Sequence, residues 1–198
     1  MWLAQGPAPP FIHCASMSHR LFVAIRPPEP VRERLLDAME GLEGARWQDD
    51  EHLHLTLRFI GEVERPLANE LADALGRIEA PRFPLAIAGV GHFERKGRPH
   101  AIWAGLQPSE GLEVLRQRVE RACTSVGLER ETRRFAPHIT LARLGHGSGP
   151  VGGWLAANGA LRTEPWEVEA FSLIESHLAH TGALYEEVVR YPLGPPAG

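Results

Sequence analysis

Two short stretches constrain this chain more than anything else in it. Leu53-His54-Leu55-Thr56-Leu57-Arg58-Phe59 in the first half is matched by Pro137-His138-Ile139-Thr140-Leu141-Ala142-Arg143 in the second. Successive side chains of a strand alternate faces, so His54 and Thr56 share one face while Leu53, Leu55 and Leu57 point into a core. His138 and Thr140 stand in the same way in front of Ile139 and Leu141. Ten His and six Thr among 198 residues give about 0.3 His-x-Thr matches by chance. Two matches in one apolar frame exceed that, and the duplication predicts two strands that each present a His-Thr pair.

A chain of this length can bury a sizeable core as one domain or two intimate lobes. Its formal charge of -4 argues against gripping long nucleic acid by phosphate neutralisation alone, which leaves a strongly basic footprint; a nucleic-acid end stays open as a target. Lys96 stands alone against twenty arginines, and arginine binds phosphate by a planar fork, although genomic base composition accounts for the bias as well. Cys14 and Cys123 provide neither a disulfide framework nor a Cys-based metal cluster, which fits a reducing cytoplasm. No apolar run reaches the length of a membrane span. The first sixteen residues lack a positive n-region and are interrupted by Pro7, Pro9 and Pro10. Residues 1–16 are therefore expected to be a disordered extension or a misplaced start ahead of Met17, residues 17–193 a single bilobal domain, and 194–198 a disordered tail.

In chain order, Arg20 to Ile25 has the apolar, β-branched and aromatic content of a buried strand. Val31, Leu35, Met39 and Leu42 predict a helix of about three turns with Pro30 at its start and Gly41 or Gly44 at its end. The first motif strand is expected from about His52 to Ile60, closed by Gly61. Pro66 opens a second helix with Leu67, Leu71, Ala74, Leu75 and Ile78 inward. Strands follow at Phe83–Val90 and His100–Leu106, with a polar loop between them. Ser109 N-caps a third helix that Gly127 ends. Arg130, Arg133 and Arg134 lead into the second motif strand, the glycines from 145 to 153 predict a flexible loop, and 154–161 a short helix. Strands at Trp166–Leu178 and Leu184–Pro192, joined by a turn at His180-Thr181-Gly182, close the chain.

Each half thus holds a helix, a His-x-Thr strand and further strands, the signature of two lobes related by an approximate twofold with their His-Thr pairs facing across a central cleft. An imidazole titrates near pH 6.5, so one ring can accept a proton while the other donates one. The Thr hydroxyls suit the non-bridging oxygens of a phosphate. The set fits in-line phosphoryl transfer that requires no metal and no cofactor. Two other readings are open: a His on a strand face is commonly a hydrogen-bonded structural residue, and His52, on the same face as His54, makes a two-His start of a metal site. No His-Glu-x-x-His helix and no inward acidic residue on that strand completes one.

The order Arg20–Ile25, His52-Leu53-His54-Leu55-Thr56-Leu57-Arg58-Phe59-Ile60-Gly61-Glu62-Val63, then Phe135-Ala136-Pro137-His138-Ile139-Thr140-Leu141-Ala142-Arg143 resembles the 2H phosphoesterase superfamily. Within it the chain is similar to the RNA 2′,3′-cyclic phosphodiesterases, also called 2′-5′ RNA ligases, over roughly Leu21 to Leu193, including Phe171–Ser176 and the closing segment from Tyr185. The resemblance implies an α+β fold of two lobes, each an antiparallel sheet with helices outside and the active site in the cleft between them. It implies metal-free hydrolysis of a terminal 2′,3′-cyclic phosphate to a 2′-phosphomonoester. His54 would be the donor to the leaving 3′ oxygen, His138 the acceptor from water, and Thr56, Thr140 and Arg143 the phosphate ligands.

By strict alternation Arg143 lies opposite to His138 and Thr140, and reaches the site only if its strand bulges or ends at Ala142. Arg58 shares parity with His54 and is a candidate contact or a rim residue. Phe22 is a candidate base-stacking ring, with core packing as the alternative. His52 stands where the family pattern often has Asn, and is a candidate for the cleft wall. The expected partners are RNA ends or small cyclic nucleotides, with no membrane and a monomeric state. A phosphodiesterase acting on a small nucleotide such as a cyclic-phosphorylated ADP-ribose, a non-enzymatic nucleotide-binding module, and the reverse 2′-5′ joining of RNA ends are the rival functions.

Overall fold

A computed structural model of the chain describes residues 18–179 and 182–195. The extension 1–16, the centre of the turn at His180-Thr181 and the last three residues lie outside the described residues, and with them the expectations for those segments. Gly194, expected to begin a loose tail, instead donates its N–H to Ala80 (2.9 Å) and bridges Pro81.

The elements run β1 (Ser18–Ile25), α1 (Glu29–Leu36), β2 (Arg46–Trp47), β3 (Leu55–Glu64), α2 (Arg65–Gly76), β4 (Phe83–Leu85), β5 (Ile87–Arg95), β6 (Arg98–Leu106), α3 (Glu110–Ser125), β7 (His138–Arg143), α4 (Gly152–Asn158), β8 (Trp166–Val168), β9 (Ala170–Ala179) and β10 (Gly182–Pro192). The fold is α+β. Its main sheet has the order β10-β9-β1-β3-β7-β6-β5, with β2 beside β7, while β4 and β8 form a separate ribbon. Every strand pairing is antiparallel. The two motif strands, β3 and β7, are neighbours, but they share one ladder position, Leu55 opposite Ile139. The two sheets implied by the sequence therefore meet at a single-pair seam and diverge from it.

Apolar patterning explains which face is covered. Leu55, Leu57, Ile139 and Leu141 are buried together with Leu71 and Leu75 of α2 and Leu112, Leu115 and Val119 of α3. These helices pack on each other and on β3, so the face opposite them is the one that carries His and Thr. Among the described residues no helix is long and apolar enough to cross a membrane.

Local differences from the sequence reading have local causes. α1 stops at Leu36 because the chain passes into single turns (Ala38 N–H to Leu35 O, Met39 N–H to Leu36 O) before Gly41 at φ +74°, although Ala38 and Leu42 are still buried. β3 starts at Leu55, after a 3-10 turn over Asp50–His52, and runs through Gly61 to Glu64. The expected strand at 83–90 is two strands. The expected polar loop contracts to a two-residue hairpin turn in which Lys96 (φ 54°) and Gly97 (φ 73°) both adopt the positive φ that a twisted hairpin favours. Ser109 caps α3 by accepting the Leu112 N–H, and Gly127 (φ +89°) follows its end. The glycine loop after β7 is pinned: Ser148 Oγ donates to Gly44 O (2.9 Å) and Gly149 N–H to Glu43 O (2.9 Å).

Candidate active site

The Leu55–Ile139 pair is the centre of the site. An antiparallel pair has a local twofold through its opposed residues, so His54 and Thr56 flank Leu55 as His138 and Thr140 flank Ile139. All four side chains face away from the helices and line one cleft of about 860 Å³.

Both imidazoles are held in the same way. His54 Nδ1 donates to the carbonyl of His52 and His138 Nδ1 to that of Ala136, each at 2.7 Å and each two residues back. A carbonyl only accepts, so Nδ1 carries the hydrogen on both rings and Nε2 is left to take up or release a proton. His54 is boxed in by Phe22 (ring centroids 4.9 Å), Tyr185 (5.4 Å) and, through Tyr185, His52. His52 Nε2 donates to Ala183 O at 2.7 Å, which fixes the wall and with it the carbonyl that orients His54. Phe93 stands edge-on to His138 at 4.7 Å, with Trp103 at 6.2 Å.

Beyond the Thr of each motif the strand carries one extra residue. Ala24 of β1 faces Thr56 but the next residue back, Val23, faces Arg58, so Leu57 is skipped; Trp103 of β6 faces Thr140 while Ile102 faces Ala142, so Leu141 is skipped. Such a bulge reverses the parity of everything after it. Arg143 therefore turns onto the cleft side, and so does Phe59, its counterpart after the first motif. Arg58 turns away. Its Nε lies 3.2 Å from Glu120 and its Nη1 3.1 Å from Glu131, on the side of α3. Its expected place in the cleft is thus corrected, and the bulge is the reason. Phe22 and His52 line the cleft, while Arg130, Arg133 and Arg134 border a separate groove beside α3.

The LigT like Phosphoesterase family matches the chain in two stretches, residues 25–103 and 105–185, each containing one His-x-Thr motif. The chain belongs to this family. It is 38% identical over 141 residues to an RNA 2′,3′-cyclic phosphodiesterase of Aeropyrum pernix, covering 70% of this chain and 80% of that one. A protein of the same name from Thermus thermophilus is 34% identical over 192 residues, with 88% and 90% covered. The crystal structure of Escherichia coli LigT in its apo form superimposes with a TM-score of 0.74 at 30% identity, over 90% of this chain and 99% of that one.

In this LigT-like phosphoesterase the walls of the cleft disfavour protonated imidazole. Burial, with the charges of His52, His138 and Arg143 adding to it, outweighs the His52 carbonyl and lowers the His54 pKa to about 4; burial and Arg143 lower that of His138 as well. Arg143 thus makes its charge felt at both rings. Sequence reasoning missed Phe59, Phe93 and Tyr185. The two motifs do align as Thr-x-x-Phe and Thr-x-x-Arg, but only the registers of β1 and β6 show which way those third residues face. Tyr185 arrives from β10, a segment the resemblance covers without giving its ring a place in the cleft.

Proposed function

We propose that this chain hydrolyses the terminal 2′,3′-cyclic phosphate of RNA to a 2′-phosphomonoester, with His54 and His138 as an acid-base pair. The observation that carries the reading is the matched pair of imidazoles across one seam, each tied at Nδ1 and available at Nε2, with a Thr hydroxyl beside each. The names of the relatives, RNA 2′,3′-cyclic phosphodiesterases, supply the substrate class.

In the proposed reaction a water oxygen attacks phosphorus while His138 Nε2 takes its proton. The bond from phosphorus to the 3′ oxygen breaks, and that oxygen leaves with a proton from His54 Nε2, so the 3′ hydroxyl is restored and the phosphate stays on the 2′ oxygen. Thr56 and Thr140 donate to the non-bridging oxygens, and the Arg143 guanidinium meets the charge that grows on them. A phosphate anion between the rings raises both imidazole pKa values, which supplies the protonated partner the reaction needs. The same groups serve 2′-5′ joining of RNA ends in reverse, but water outcompetes a hydroxyl unless both ends are held together.

The test is to incubate the purified protein, with chelator present, with a nucleoside 2′,3′-cyclic phosphate and with a short RNA ending in one, and to resolve 2′- from 3′-phosphate products. A 2′-phosphate that disappears in His54→Ala is the expected result. A 3′-phosphate would reverse the leaving oxygen, and no hydrolysis of either would leave a nucleotide-binding module.

A further inference from the structure

On β2, Arg46 stands directly opposite Arg143 of β7. Opposed residues of an antiparallel pair share a face, and like charges placed there repel. Both border the cleft. Other arginines, Arg26, Arg32, Arg58, Arg82, Arg116 and Arg133 among them, pair with a carboxylate, whereas among the described residues Arg46 and Arg143 have no carboxylate partner. Their placement is enforced. Gly44, at φ +67°, approaches Gly147 so closely that a Cβ would lie 2.7 Å from its carbonyl oxygen, which fixes the chain entering β2, while Gln48 N–H donates to Leu141 O at 2.8 Å on the far side. A two-residue strand locked at both ends and spent on holding two cations together is a site for an anion.

Arg143 is engaged by the phosphate at the seam, which leaves Arg46 for a second anionic group beside it. Arg143 lies three residues beyond Thr140, about 10 Å along the strand, and its long side chain reaches back toward both imidazoles. Arg46, opposite Arg143 on the strand beyond β7, stands as far from the seam as the Arg143 backbone does and borders the cleft there. We propose that Arg46 holds a second phosphate, the phosphodiester one nucleotide upstream of the cyclic end, so that this site takes oligonucleotide ends in preference to a lone nucleoside cyclic phosphate. The proposal rests on the cyclic-phosphate reading of the seam.

The test compares the full chain with Arg46→Gln on a nucleoside 2′,3′-cyclic phosphate, on a dinucleotide ending in a cyclic phosphate, and on a cyclic phosphate that carries a pyrophosphate. The loss of one charge-assisted contact should raise KM for the dinucleotide about tenfold, leave its kcat within about twofold and leave the mononucleotide unaffected, with Arg46→Lys recovering part of the loss. Equal losses on dinucleotide and mononucleotide, or no change on the dinucleotide, would overturn the second-phosphate site. A loss confined to the pyrophosphate substrate would overturn the oligonucleotide assignment. If the unmodified chain cleaves none of the three, the cyclic-phosphate reading itself has failed.

Discussion

His54→Gln should make the protein less sensitive to acid. The folded chain holds this imidazole at about 4, against about 6.5 for an unperturbed one. Between those values the unfolded chain takes up a proton that the folded chain refuses, so the unfolded state binds more protons and stability rises with pH. The contribution is complete above about pH 6.5 and is lost as pH falls toward 4. At about 1.36 kcal/mol per pH unit the full window amounts to roughly 3 kcal/mol, most of it, about 2.5 kcal/mol, already gone at pH 4.5. The carboxylates held low by arginine partners, Asp50, Glu113 and Glu131, are lost mainly below that pH, and His138 is present in both proteins and cancels. Gln keeps an amide N–H for the His52 carbonyl and has no proton to take up. Urea unfolding of both proteins at about pH 7.5 and pH 4.5 measures the difference. The wild-type chain should lose about 2.5 kcal/mol more than the variant, which at this chain length corresponds to roughly 5–10 °C in Tm. Parallel losses in the two proteins would show that the ring is not held neutral by its surroundings, and the account of the box around it would be wrong.

Other expectations follow from the same geometry. His54→Ala and His138→Ala should each lower turnover by about 10²- to 10⁴-fold, and the double variant should lose far less than the product of the two, because the rings act as a unit; full activity in either single variant would refute the acid-base pair. Because burial lowers both imidazoles, the optimum of kcat/KM should lie below pH 6.5 while that of kcat, governed by the phosphate-bound form, lies higher. Coincident profiles would remove the burial argument. Arg58→Gln, which strips a partly buried cation from Glu120 and Glu131, should cost roughly 2–3 kcal/mol of stability and leave kcat/KM of the folded enzyme unchanged; a selective rise in KM would return Arg58 to the cleft.

The parts of this protein that were legible in its sequence are those set by a period. Alternation placed His54, Thr56, His138 and Thr140 on one face, and helical spacing put Leu71, Leu75, Leu115 and Val119 inward, where they are found. What was not legible depends on a neighbour in space. Arg58 and Arg143 exchange the sides that strict alternation gives them, because Leu57 and Leu141 are extra residues relative to β1 and β6; the bulge that Arg143 needed to reach the cleft is a property of two strands that no single strand's pattern contains. The glycines after β7 read as freedom when taken alone, yet one face of that loop is bonded to Gly44 and Glu43, some hundred residues earlier. Phe22 takes the core-packing alternative, since it is almost fully buried, with its ring against His54.

The two bulges also bear on how a nearly symmetric site performs an asymmetric reaction. Up to Thr56 and Thr140 the halves are equivalent, and geometry alone gives either imidazole the same claim to be acid or base. The equivalence ends one bulge later, where the first half delivers Phe59, 42% exposed beneath the Arg20 guanidinium at 5.4 Å, and the second delivers Arg143. A nucleotide end is itself asymmetric, with a charged phosphate and a flat base. With the phosphate at the seam within reach of Arg143 in either case, one of its two orientations lays the base on the exposed Phe59 ring, while the other lays it toward Arg143 and leaves that ring bare. The second orientation forfeits a stacking contact of roughly 1–3 kcal/mol, about five- to hundredfold in population. Orientation, and with it which ribose oxygen faces which imidazole, is therefore expected to follow the pair of residues that the bulges turn inward, and Phe59→Ala should blur the 2′/3′ product ratio if it does.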